Sequence, residues 1–110
     1  MRLAGRGPRR AALAALLVLQ SVGVATVAAR PGVEVFGQTC AVCHFADSTE
    51  RKVGPGLGGL YRRERLPVSG DPVSDTRVAH QIRRGSGEMP PHPLLTDEDV
   101  RELVEYLRTL

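Results

Sequence analysis

The 110-residue chain has no tryptophan, only two phenylalanines and two tyrosines, two cysteines, and one methionine besides Met1. Two cysteines exclude a disulfide-dense scaffold and a zinc site of four thiolates. Only one domain fits in this length. Disorder is also excluded, because 42% of residues are hydrophobic and only 25% are charged. No internal repeat and no convincing pair of strands is present.

A formal charge of +3 suggests a basic protein, yet the excess is local. Residues 1–29 hold Arg2, Arg6, Arg9 and Arg10 and no acidic residue, whereas residues 30–110 hold 11 basic and 12 acidic ones. Nucleic acid therefore drops out as a partner. The basic start precedes an unbroken apolar run of nine residues at 11–19, and Val27-Ala28-Ala29 follows with small or apolar residues suited to signal peptidase. This layout predicts a secretory signal peptide over residues 1–29 and an extracytoplasmic, periplasmic location for residues 30–110. An uncleaved membrane anchor is the alternative, although Gln20, Ser21, Gly23 and Thr26 weaken the span.

The exported part would carry about 80 residues and all four aromatic side chains, Phe36, Phe45, Tyr61 and Tyr106. Domains of that size have thin cores and call for a staple, a metal or a cofactor. Residues 32–38 open a first helix that runs into the cysteines. Residues 51–74 contain five glycines and three prolines and read as loop. A second helix is predicted from a cap at Asp75 through Arg84, with Val78 and Ile82 on one face and Gly85 as the stop. Residues 85–93, rich in Gly and Pro, are irregular. Thr96 caps the clearest element, with Asp97, Glu98 and Asp99 in its first turn and Val100, Leu103, Val104 and Leu107 at helical spacing. The fold class is all-α, with long loops.

The strongest chemical signal is Cys40-Ala41-Val42-Cys43-His44. Two thiols about one helical turn apart can add to the two vinyl groups of one haem, and the adjacent histidine then becomes the proximal iron ligand. A thioredoxin-like dithiol would need a strand–helix context, which is not visible here. A zinc finger would need a second ligand pair, but His80 and His92 are twelve residues apart.

Met89 is the candidate for the sixth iron ligand. It lies in Gly87-Glu88-Met89-Pro90-Pro91, where Pro90 biases it away from helical geometry. A stiff proline-fixed loop suits a thioether aimed at iron better than a flexible gap-filler. His80 and His92 are the rivals. His80 lies off the Val78–Ile82 face, and His92 is flanked by Pro91 and Pro93 in what reads as a structural turn.

With those motifs in view, the chain resembles the class I c-type cytochromes. The segment Lys52-Val53-Gly54-Pro55-Gly56-Leu57-Gly58-Gly59-Leu60-Tyr61 is similar to the family's Gly-Pro-x-Leu segment. The Met89-Pro90 loop and the closing Leu103-Val104-Glu105-Tyr106-Leu107 follow in the family's order, and Gly32 and Phe36 match its first helix. The resemblance implies a cytochrome c domain over residues 30–110, with three to four short helices and long loops around one covalently bound haem c. It implies His44 and Met89 as axial ligands, with the Pro55 carbonyl accepting from the His44 ring. Gly32 and Phe36 are expected to meet Leu103 and Tyr106 where the first and last helices cross. Many members bind a haem propionate through a tryptophan that this chain lacks; Tyr61, or an arginine from Arg62, Arg63 or Arg65, is the expected replacement.

The implied function is single-electron transfer between redox protein partners, without enzymatic turnover. Two alternatives stay open. One is a membrane-anchored or complex-bound subunit of a dehydrogenase or oxidase. The other is a haem enzyme or gas sensor in which Met89 is labile. Residues 51–84 carry eight basic and three acidic residues, and residues 85–110 carry two and six, so partners are expected to be met in a preferred orientation.

Overall fold

The structure, a computed structural model, describes residues 3–5, 18, 20–26 and 28–110. Apart from Val18, the apolar run at 11–19 lies outside the described residues, as do the four arginines Arg2, Arg6, Arg9 and Arg10, on which the signal-peptide expectation also rests. Among the described residues no helix is long and apolar enough to cross a membrane.

Among the described residues, three helices and one short 3-10 turn make up the regular structure: α1 (Gly32–Thr39), the turn Leu60–Arg62, α2 (Asp75–Arg84) and α3 (Asp97–Arg108). No strand forms among the described residues, and the only ladder-like contacts are isolated bridges from Arg65 to Pro72 and from Ser86 to Met89. The all-α expectation holds.

α3 is the hub. Thr96 and Asp99 form a reciprocal capping box: the Asp99 N–H donates to Thr96 Oγ1 at 3.0 Å, and the Thr96 N–H donates to Asp99 Oδ2 at 3.1 Å. Its apolar stripe, Val100, Leu103, Val104 and Leu107, is buried, with Leu103 at 0% exposure. Against that stripe crosses α1, which buries Gly32, Val35 and Phe36. A Cβ at Gly32 would lie 2.0 Å from the Glu102 carbonyl oxygen and 2.7 Å from Tyr106 Cβ, so only glycine lets the two backbones approach this closely. Phe36 meets Tyr106 edge to face, with ring centroids 5.5 Å apart. The expected crossing is therefore present, with Gly32 closest to Glu102 and Tyr106.

Arg30 fastens the entry to α1 onto the start of α3. Its Nε and Nη2 donate to the two carboxylate oxygens of Asp99 at 3.1 and 2.8 Å, and its Nη1 donates to Gln38 Oε1 at 2.7 Å. Asp99 is only 6% exposed, and the Arg30 hydrogen bond, aided by the Thr96 backbone, holds its carboxyl down at about 2.

α2 buries Val78 and Ile82, as its spacing predicts. Its cap is Ser74 rather than Asp75: Ser74 has an extended backbone and its Oγ accepts from the Arg77 N–H at 3.2 Å. Asp75 is instead the first helical residue, and its carboxylate joins three elements. It accepts from Tyr61 Oη at 3.0 Å and pairs through both oxygens with Arg108 near the end of α3. Arg108 also lies over the Tyr61 ring, 5.7 Å from its centroid. Burial, and then the hydrogen bond to Asp75, push the Tyr61 hydroxyl up to about 12.

Candidate functional site

The first helix ends by delivering the motif. The Cys40 N–H donates to the Phe36 carbonyl at 2.8 Å, and the N–H groups of Cys43 and His44 both donate to the Cys40 carbonyl at 3.0 Å. These turns aim Cys40, Cys43 and His44 into one cleft of about 450 Å³, a volume in the range of ligand pockets. Both thiols are free and partly buried. Burial, with a smaller contribution from Cys43, pushes the Cys40 thiol up to about 11.

Behind His44 the Gly-Pro segment closes in. The His44 Nδ1 lies 2.7 Å from the Pro55 carbonyl oxygen. A carbonyl only accepts, so Nδ1 carries the proton and Nε2 keeps its lone pair for a metal. Gly54 is held by its N–H, which donates to the Cys43 carbonyl at 2.7 Å, and a Cβ there would come within 2.5 Å of His44 Cε1. The sequence motif thus has two uses: Gly54 makes room for the imidazole and Pro55 orients it.

The remaining walls come from the loops and α2. Leu57, Leu60, Leu66, Val78, Ile82 and Leu107 give the cleft an apolar interior, and Met89 lies on its lining with Gly87, Glu88 and Pro90. The Met89 loop is tightly tied. Gly87 has φ +57°, and the Met89 N–H donates back to the Ser86 carbonyl at 3.0 Å. Gly85, at φ +65°, would place a Cβ 2.3 Å from the Met89 carbonyl oxygen, so the loop folds directly onto the end of α2.

The two rival histidines are placed differently. His80 is exposed on α2. His92 lines the cleft, but its backbone N–H donates to the Ile82 carbonyl at 3.2 Å and its Nδ1 lies 3.3 Å from the same oxygen. It closes the turn after α2, as its flanking prolines suggest.

The expected propionate partners need correcting. None of Tyr61, Arg62, Arg63 and Arg65 lines the cleft, and all four are engaged elsewhere. Tyr61 binds Asp75, and Arg62 Nη1 donates to the Leu110 carbonyl at 3.1 Å. Arg63 Nη2 donates to the carbonyls of Gly56 and Gly58 at 2.9 and 2.8 Å, and Arg65 Nη1 to that of Gly70 at 2.9 Å. Glycine-rich loops offer many unpaired carbonyls, and the nearby guanidinium groups satisfy them. Among the described residues, the one arginine on the cleft is Arg51.

One cleft residue was not singled out from the sequence. Gln81 lines the site, and its Nε2 donates to Met89 Sδ at 3.3 Å and to Ser86 Oγ at 2.8 Å. Its signal was a polar residue three positions after Val78, on the otherwise apolar face of α2.

The group implied by the motif fits what is present. Two thiols, an imidazole with one committed nitrogen and a thioether all lie on one apolar cleft, a donor set suited to haem iron. Comparison with known proteins agrees. A family model described as cytochrome c oxidase, cbb3-type, subunit III, matches residues 27–107. Cytochrome c2 iso-2 of Magnetospirillum molischianum is 25% identical over 87 aligned residues, covering 64% of this chain and 90% of that protein.

Proposed function

The chain belongs to the class I c-type cytochromes, which carry covalently bound haem c, and from that membership we propose that it is an extracytoplasmic electron carrier with His44 and Met89 as axial ligands. When bound, the haem supplies an iron that alternates between ferric and ferrous states. Cys40 and Cys43 would hold it through two thioethers. His44 would ligate through Nε2, with its ring orientation and basicity set by Pro55. Met89 would fill the opposite position and leave no site for substrate, which is why a carrier is favoured over a catalyst. The observation that carries the reading is the 2.7 Å bond from His44 to Pro55, because it dedicates one ring nitrogen and frees the other on a cleft lined by Met89.

Electron exchange with redox protein partners is proposed to take place at the cleft rim. Val42, Val53 and Val68 line the cleft and are 70%, 59% and 61% exposed. Beside them Lys52 Nζ donates to the Ala41 carbonyl at 2.9 Å and lies 5.3 Å from the Phe45 ring centroid, bracing the attachment turn. Export through the leader at 1–29 completes the reading. Cleavage after Ala29 would keep Arg30, whose bond to Asp99 supports that boundary.

Mass spectrometry of the purified protein with a redox titration tests this reading. One covalently attached haem, a reversible one-electron wave and no ready binding of carbon monoxide by the ferrous form are expected. Rapid carbon monoxide binding would instead support a sensor or enzyme. A second reading, a subunit within an oxidase complex, is favoured by the description of the matching family. Purification from membranes together with other subunits would support it over a free carrier.

A further inference from the structure

Gln81 uses both hydrogens of its side-chain amide within one small network. One points to Ser86 Oγ at 2.8 Å and the other to Met89 Sδ at 3.3 Å, while the Ser86 hydroxyl lies 3.1 Å from Gln81 Oε1. The reversed amide would set a carbonyl oxygen against the sulfur lone pairs and lose the donor. The thioether, which can only accept, therefore selects the orientation that presents an N–H to it, while Ser86, within reach of both Nε2 and Oε1, fixes the plane of the amide. The backbone reinforces it: the Gly85 N–H donates to the Gln81 carbonyl at 2.8 Å, and the Met89 N–H donates to the Ser86 carbonyl at 3.0 Å.

From this network we infer that Gln81 is a positioning residue for Met89, occupying one lone pair of the thioether and leaving the other for iron. The inference rests on the reading of Met89 as an axial ligand. Two consequences follow from the chemistry. A thioether sulfur bound to iron has two available configurations, differing in which lone pair is used. A donor fixed on one lone pair selects one of them, so the loop is held ready for ligation. The N–H dipole also draws electron density from sulfur, which disfavours the ferric state relative to the ferrous one and raises the potential. Gln81 does this from a helix rather than a loop, so the donor is rigidly placed.

The test uses the haem-loaded protein, the variants Gln81→Leu and Ser86→Ala, and exogenous imidazole as a competitor for the Met89 position. In the parent protein the ferric spectrum carries the weak far-red band of iron–methionine bonding. Gln81→Leu is expected to lower the midpoint potential, shift that band and tighten imidazole binding by about fivefold, the factor carried by one hydrogen bond of ordinary net strength. Ser86→Ala keeps the Gln81 side chain but frees its orientation, so the same quantities should move in the same direction by less. If Gln81→Leu does not accumulate with haem, Ser86→Ala decides. Unchanged potential, band and imidazole affinity in a variant that has only lost thermal stability would overturn the inference, because a purely structural tether moves stability alone. If the parent lacks the far-red band, the Met89 reading falls and this inference with it. If the parent has the band and the variants match it, only the role of Gln81 falls.

Discussion

Gly54 and His44 are packed so closely that no side chain fits between them: a Cβ on Gly54 would stand 2.5 Å from Cε1 and 2.9 Å from Nδ1 of the imidazole. The same ring nitrogen is bound to the Pro55 carbonyl. Gly54→Ala should therefore tilt the ring away from Pro55 and weaken the proposed iron ligand. The expected outcome is a changed midpoint potential and less haem-loaded protein, measured by electrochemistry and by haem content per chain.

The crossing of α1 and α3 makes a second prediction. Gly32→Ala inserts a methyl group into backbone that cannot yield without separating the helices, and should cost about 1–3 kcal/mol. Leu103→Ala, at 0% exposure, should cost about 2–5 kcal/mol by opening a cavity. Denaturant titration of the haem-loaded variants measures both.

Those two helices were legible in the sequence for a physical reason. Each has a continuous apolar face, and α3 also carries its cap and first-turn acids. The Cys40-to-His44 motif was legible because it needs particular residue types at fixed spacing, whereas Gly54-Pro55 was reached through the family resemblance. Other features depended on three-dimensional competition. Ser74 and Asp75 are both good cap residues, and only backbone geometry gives the role to Ser74. The 3-10 turn Leu60–Arg62 is too short to show any period. The arginines at 62, 63 and 65 looked free for a haem propionate, but their donors go to loop carbonyls and to the Leu110 carbonyl, whose positions no linear pattern reveals.

Asp99 gives a pH prediction. Its carboxyl lies at about 2 in the fold, below its ordinary 3.8, chiefly because Arg30 hydrogen-bonds to it. The folded state therefore binds fewer protons than the unfolded chain between those values, and stability falls as pH falls. The contribution is fully present above about 3.8 and is lost as pH drops through about 2. Asp99→Asn should be less stable than the parent near neutrality, with the difference narrowing through that acid window. Thermal melts across pH 2–6 measure it.

Electrostatic steering should be concentrated in few residues. Arg83, Arg108 and Arg30 are paired with Asp97, Asp75 and Asp99, whereas Arg51 is exposed on the cleft itself. Arg51→Glu should slow oxidation of the reduced protein by ferricyanide at low ionic strength, and added salt should erase the difference. Arg84→Glu, away from the cleft lining, should have a smaller effect. Stopped-flow rates across a salt series measure both.

The proposed ligation of iron by His44 and Met89 is tested most directly by the absorption spectrum of the ferric protein. A c-type haem spectrum with the weak far-red iron–methionine band, kept in His80→Ala and His92→Ala and lost in Met89→Ala, is the predicted result. A c-type spectrum without that band in the unaltered protein would contradict it.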